Sequence, residues 1–260
     1  MNNLERVIRR DRVLVALGLA AITVLAWIYL VRAAATMNSM VMQAHMHEMM
    51  GMADPRTWGI TEWLDLFVMW AVMMIGMMLP SAAPMMLLVL GMYRRRDDSH
   101  ARLASLAFIG GYVVVWTAFS AAAAALQVEL HRTAVLAADM RFKSAVLSSV
   151  VLIVAGIYQW LPVKNVCLAH CQSPLGFLSQ HWREGIHGGL MLGVWHGVFC
   201  VGCCGLLMAL LFVLGVMNLL WIAALAALVL VEKVARRGAI IGRIAGVAAA
   251  GWGAYSLFVG

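Results

Sequence analysis

Charge is scarce in this sequence. Of its 260 residues, 12% are Asp, Glu, Lys or Arg and 64% are hydrophobic, with a mean hydropathy of +0.89. A soluble domain carries about 25% charged residues, so this chain has too little polar surface to cover a globule in water. Other features are missing as well. There is no basic patch interleaved with aromatics, which argues against a nucleic-acid partner, and no nucleotide-binding motif, which excludes ATP-driven pumping by this chain alone. No periodic internal repeat or polar linker divides it. Cysteine is limited to five residues and proline to five.

What the chain has in place of charge is long apolar runs. Stretches of about 20 apolar residues are candidates to cross a membrane, and here they fill most of the sequence. The expected fold is therefore all-α, a polytopic transmembrane helical bundle of about seven spans. They fall near residues 13–32, 63–92, 103–127, 145–161, 188–214, 219–231 and 239–259. The first exceeds a usual signal core and lacks a clear small-residue cleavage site, so it reads as a retained helix. The second contains Pro80 and Pro84, which predicts a kink or a break. The sixth is short.

The net charge of +7 then reports orientation. Arg6, Arg9, Arg10 and Arg12 precede the first span, and Arg94, Arg95, Arg96 and Arg102 follow the second. Lys164 and Arg183 follow the fourth, and Lys233, Arg236 and Arg237 the sixth, whereas the alternate loops are poorer in Lys and Arg. Cytoplasmic loops collect these residues, which predicts a multi-pass membrane protein with a cytoplasmic N-terminus. Three parts follow: an N-terminal transmembrane helix (1–36), an extracytoplasmic Met/His-rich segment (37–60) and a membrane domain (61–260).

The segment 37–52 reads MNSMVMQAHMHEMMGM. Thioether sulfur is a soft, neutral ligand suited to Cu(I), and imidazole binds both oxidation states of copper as well as zinc. His45, Met46, His47 and Met49 are candidate ligands, and on a helix His45 and Met49 share a face. The competing reading is that methionine is a flexible hydrophobe filling gaps. The next span continues the pattern: Glu62, Asp65, Met69 and Met73 lie along one helical stripe. An acid within a span is a functional candidate, although Glu62 and Asp65 also suit the first turn of a helix, where acids favour the dipole.

All five cysteines fall in two places. CLAHC places Cys167, His170 and Cys171 on what reads as a short loop between Pro162 and Pro174. WHGVFCVGCC places His196, Cys200 and Cys203 on one helical face at i, i+4 and i+7, with Cys204 beside it. Soft thiolates with an imidazole select Cu(I), zinc or an iron–sulfur centre, and spacing alone does not choose among them. Two other readings remain open: buried cysteine as a small hydrophobe, in a helix whose Gly189, Gly193 and Gly197 permit close packing, and a Cys167–Cys171 disulfide. The adjacent Glu232 and Lys233 are expected to neutralise one another.

The runs YQWLPVKNVCLAHCQSP, HWREG and WHGVFCVGCCGLLMALLFVLGVMNLLW, closing on EK, together with WAVMMIGMMLPSAAP, resemble a family of bacterial predicted metal-binding integral membrane proteins. Some of its members are labelled copper chaperones. The resemblance spans about residue 58 to the C-terminus and implies that Cys167, Cys171, Cys200, Cys203 and Cys204 match the family's cysteine positions. The sequence departs from the pattern at Gln172, where an arginine is expected, and at Gly205, where an aromatic is expected. The composite expectation is an integral membrane protein that binds and hands on copper as Cu(I), with zinc or iron as alternatives and a recipient metalloprotein as a possible partner. A copper- or thiol-dependent membrane oxidoreductase is the alternative from another class, and a structural membrane subunit is the third.

Overall fold

A computed structural model describes residues 3–49, 59–95, 100–137 and 139–259. Ten helices account for nearly all of them: α1 (Asn3–Met49), α2 (Ile60–Arg95), α3 (Ala101–Arg132), α4 (Ala145–Tyr158), α5 (Pro162–Gln172), α6 (Pro174–His181), α7 (Gly185–Ala209), α8 (Leu211–Leu214), α9 (Leu219–Val234) and α10 (Gly238–Val259). The expected all-α class holds. Among the described residues the one extended pairing is a single antiparallel bridge between Leu136 and Phe142.

Four stretches are long and apolar enough to cross a membrane: Arg10–Met37, Ile60–Arg95, Ala101–Arg132 and Gly185–Leu214. A fifth arises if α4 and α5, bent by 61° at their junction, count as one broken span. The seven apolar runs of the sequence thus reduce to four or five helices that meet this standard. The difference lies in the C-terminal half, where α4 has 14 residues and α9 has 16, short of the roughly 20 that a perpendicular helix needs. There too α10, with 22 residues, is long enough but not among the sufficiently apolar stretches.

Two local expectations meet the structure differently. α2 does not break at Pro80 and Pro84 but runs as one helix through both, because packed neighbours and local adjustment tolerate the lost donors. CLAHC is not a loop: it lies on α5, with Pro162 at the first helical turn and Pro174 opening α6. Proline is pre-organised for that first position, where its missing N–H is not needed. Elsewhere the ends follow ordinary rules. The Ser144 hydroxyl accepts from Leu147 N, and the Asn218 carbonyl oxygen accepts from Leu220 N. Gly215, at φ +98°, makes the turn out of α8.

The core forms where α2, α3 and α7 pack together, and glycine sets how closely they approach. A Cβ on Gly189 would strike the backbone of Ala104, one on Gly193 the carbonyl of Phe108, and one on Gly111 the carbonyl of Leu190. The glycine stripe expected to permit close approach therefore does so, against α3. α10 packs in the same manner on α4 through Gly156, Gly246 and Gly253. α1 lies against α2, with Ala26 and Leu30 buried beside Gly76. Its lower end is tied by Asp11, which accepts from both Arg94 and Arg102.

Candidate metal centre

α7 turns one face into the bundle, and on that face His196, Cys200, Cys203 and Cys204 are all buried. The 3.6-residue period that put them together in the sequence also aims them at α2, α3, α5 and α9. Cys204 Sγ lies 3.7 Å from Met78 Sδ on α2. Cys203 Sγ lies 4.0 Å from Cys171 Sγ on α5. Both Cys203 and Cys204 thiols donate back to the Cys200 carbonyl, at 3.1 and 2.9 Å. All five cysteines are free, so no Cys167–Cys171 disulfide forms.

Cys200 occupies the middle. The thiols of Cys203 and Cys204 bond its carbonyl, and the Cys171 sulfur lies against that of Cys203. Tyr112 Oη on α3 stands 3.2 Å from its sulfur, and Lys233 Nζ on α9 donates to it at 2.9 Å. The same ammonium donates to Ser81 Oγ at 3.0 Å, and Ser81 and Tyr112 hydroxyls both donate to the Met78 carbonyl. A lysine and a tyrosine thus meet one sulfur and tie it to Ser81 and the Met78 carbonyl on α2.

Glu232 and Lys233 do not neutralise one another as expected. Successive helical residues point about 100° apart, so the two face different neighbours. Glu232 takes Lys164 of α5, which donates to its two oxygens at 2.9 and 2.8 Å with both side chains almost fully buried. Gln172, at one of the two positions where the sequence departs from the family pattern, donates from Nε2 to the Glu232 backbone carbonyl at 2.6 Å. These contacts clamp α5 to α9. The Tyr158 hydroxyl, donating to the Gly202 carbonyl, ties the end of α4 to α7.

The other candidate residues sit as follows. Cys167 is half-buried, its sulfur resting on α7 where Gly202 leaves no side chain. His170 is turned away from the thiols: Nδ1 meets the Val166 carbonyl at 2.8 Å, and the ring stacks flat on Phe199 at 4.2 Å. His196 is enclosed by Phe108, Tyr112 and Phe177, with centroids 5.6 to 5.8 Å away, and its Nδ1 is buried without a hydrogen-bond partner. Met69 and Met73 are buried on a stripe of α2 that continues to Met77, whereas Met78 points about 100° away from it. Glu62 accepts from Gly59 N at 2.8 Å at the helix start, and Asp65 is exposed. About 24 Å of helix separates Glu62 from Met78. Met46 is exposed on the continuation of α1. Residues 50–58, with Met50 and Met52, lie outside the described residues, as do the side chains of His45, His47 and Met49.

Among the described residues, no three Cys, His, Asp or Glu side chains are already gathered around a point that would hold an ion. The sulfurs are gathered around a sulfur and an ammonium instead. The donor set nevertheless fits a soft monovalent ion. Two sulfurs 4.0 Å apart suit bridging by one ion, since metal–sulfur bonds run about 2.3 Å, and Cu(I) accepts as few as two donors. The orphaned imidazole nitrogen of His196 is a further soft-compatible group.

Reading the sequence by spacing found the thiols and His196, but it missed Met78, Ser81, Tyr112 and the separate partners of the two lysines. Lys164 and Lys233 were visible as charges, and a charge inside an apolar span is itself a functional signal. The loop-by-loop count of positive residues absorbed both.

Comparison with curated proteins and with solved structures gave no match. The sequence does match a family described as PpoB2, copper chaperone, over residues 67–256. That stretch takes in α3 to α9, most of α2 and α10, and every cysteine. With so much of the chain matched, the protein belongs to the PpoB2 copper chaperone family.

Proposed function

We propose that this copper-handling protein is an inner-membrane Cu(I) carrier that takes the ion from the extracytoplasmic side and delivers it to a recipient metalloprotein. The observation that carries this reading is the gathering of sulfurs beside buried Cys200, Cys171 against Cys203 and Met78 against Cys204, inside a bundle whose long helices suit a membrane. Thiols and a thioether in an apolar setting favour a soft ion over Mg or Ca. On this reading His45, Met46, His47 and Met49 capture the ion. Glu62, Asp65, Met69 and Met73 lead it along α2, and Cys200, Cys203, Cys204 and His196 retain it. Cys167, His170 and Cys171 on α5 form the exit. Thioether giving way to thiolate makes the direction downhill.

The same reading has seven crossings, with α9 and α10 completing the count and the N-terminus in the cytoplasm. Arg236 and Arg237 then belong with Arg94 and Arg95 to the cytoplasmic side, whereas Lys233 is buried against Ser81 and Cys200 and drops out of that count. Anaerobic purification followed by elemental analysis tests the metal assignment. Stoichiometric copper is expected in the wild type and background copper when Cys200, Cys203 and Cys204 are changed to serine; a wild type without copper overturns the reading. Sidedness is tested by a membrane-impermeant thiol reagent, which should reach Cys167 from the cytoplasmic face only.

A further inference from the structure

We infer that Lys233 is the built-in counter-cation of the thiol cluster, matching the site to a monovalent ion held by two thiolates. The inference rests on the copper reading above and adds a determinant of which ion is preferred.

The argument begins with a pair of neighbouring charges. Glu232 and Lys233 are both buried, 1% and 7% exposed. The carboxylate of Glu232 is satisfied by Lys164, so those two charges cancel. Lys233 has no carboxylate partner among the described residues. Its ammonium is held by the Ser81 hydroxyl and Cys200 Sγ, and the Tyr112 hydroxyl meets the same sulfur. A lone buried cation is costly unless an anion stands beside it, and within its reach the anion must come from sulfur.

Charge counting then discriminates between ions. Cu(I) or Ag(I) bound by two thiolates forms a complex of charge −1, which Lys233 brings to zero. A divalent ion on the same two thiolates is already neutral, and Lys233 would leave the site positive. At separations of a few ångströms in a poorly polarisable interior, one unit of charge outweighs small differences in ligand geometry. Lys233 is therefore a specificity-determining residue that acts through charge, with no bond to the ion.

The test uses the full-length protein purified in detergent under anaerobic conditions. Competition with a Cu(I) chelator gives Cu(I) affinity, and a fluorescent zinc chelator gives Zn(II) affinity, for wild type, Lys233→Arg, Lys233→Met and Lys233→Gln. Replacing the charge is expected to weaken Cu(I) binding about tenfold or more while Zn(II) binding holds or strengthens. Lys233→Arg should keep the wild-type preference. Lys233→Gln retains a donor for Ser81 and Cys200, so it carries the same test if Lys233→Met does not fold. A preference for Cu(I) over Zn(II) that is unchanged in Lys233→Gln overturns the inference while leaving the copper reading intact. Absence of Cu(I) binding in the wild type overturns both.

Discussion

The exposed end of α1 and the buried face of α7 carry related donors under opposite conditions. Near the end of α1, Met46 is exposed. On α7, three thiols and an imidazole are almost wholly enclosed, with hydroxyls and an ammonium arranged around them. An exposed thioether exchanges its ligand readily and costs little to rearrange. An enclosed thiol is committed to neighbours from four other helices. Equal donor softness therefore does not mean equal function, and in the proposed reading the enclosed donors retain the ion while the exposed ones meet it.

The largest effect should come from breaking the enclosed side. Serine at Cys200, Cys203 and Cys204 together should remove copper from the purified protein, while leucine at Met42 and Met46 should leave its stoichiometry intact. Elemental analysis of both variants decides this, and a protein emptied by the α1 changes would erase the distinction. Next in size is Lys164→Met, which strands Glu232 in the interior and should cost about 3–5 kcal/mol in thermal unfolding. Adding Glu232→Met should recover most of that loss, because both charges are then gone.

A smaller effect is expected at the helix contact that supports the thiols. Gly193→Ala places a methyl group against the Phe108 carbonyl, and overpacking of this kind costs about 1–3 kcal/mol. Its copper content measures how far the α7 face tolerates a shift of α3. Tyr112→Phe removes one hydroxyl shared between Cys200 and the Met78 carbonyl and should cost about 1 kcal/mol, visible as a modest drop in melting temperature. At the exposed end, Met46→Leu should stay within about 0.5 kcal/mol of the wild type in stability and reveal itself only as slower copper loading.

Much of this arrangement was legible in the residues, for identifiable reasons. His196, Cys200 and Cys203 share a face because helical periodicity is a local property, and Gly189 and Gly193 announce close packing because only a missing Cβ allows it. What sequence does not give is which face of one helix meets which face of another. That is why Met78 was one methionine among many until Cys204 was found beside it. It is also why Glu232 and Lys233 looked like a pair although Lys164, far along the chain, takes the carboxylate. CLAHC was misread for a different reason. Two flanking prolines suggested a loop, yet the first opens the helix that carries it and the second opens the next one.

α1 runs for 47 residues without interruption, a length of about 70 Å against a hydrocarbon layer of about 30 Å. Its base is moored, since Asp11 is gripped by arginines of both α2 and α3. A moored rod behaves as a lever and not as a tether. Its course is then set by the mooring and by the contact with α2, where Ala26 and Leu30 lie beside Gly76. Anything exchanging with Met46 must come up to meet it, so the reach of the protein is decided by helix geometry before any ligand chemistry begins.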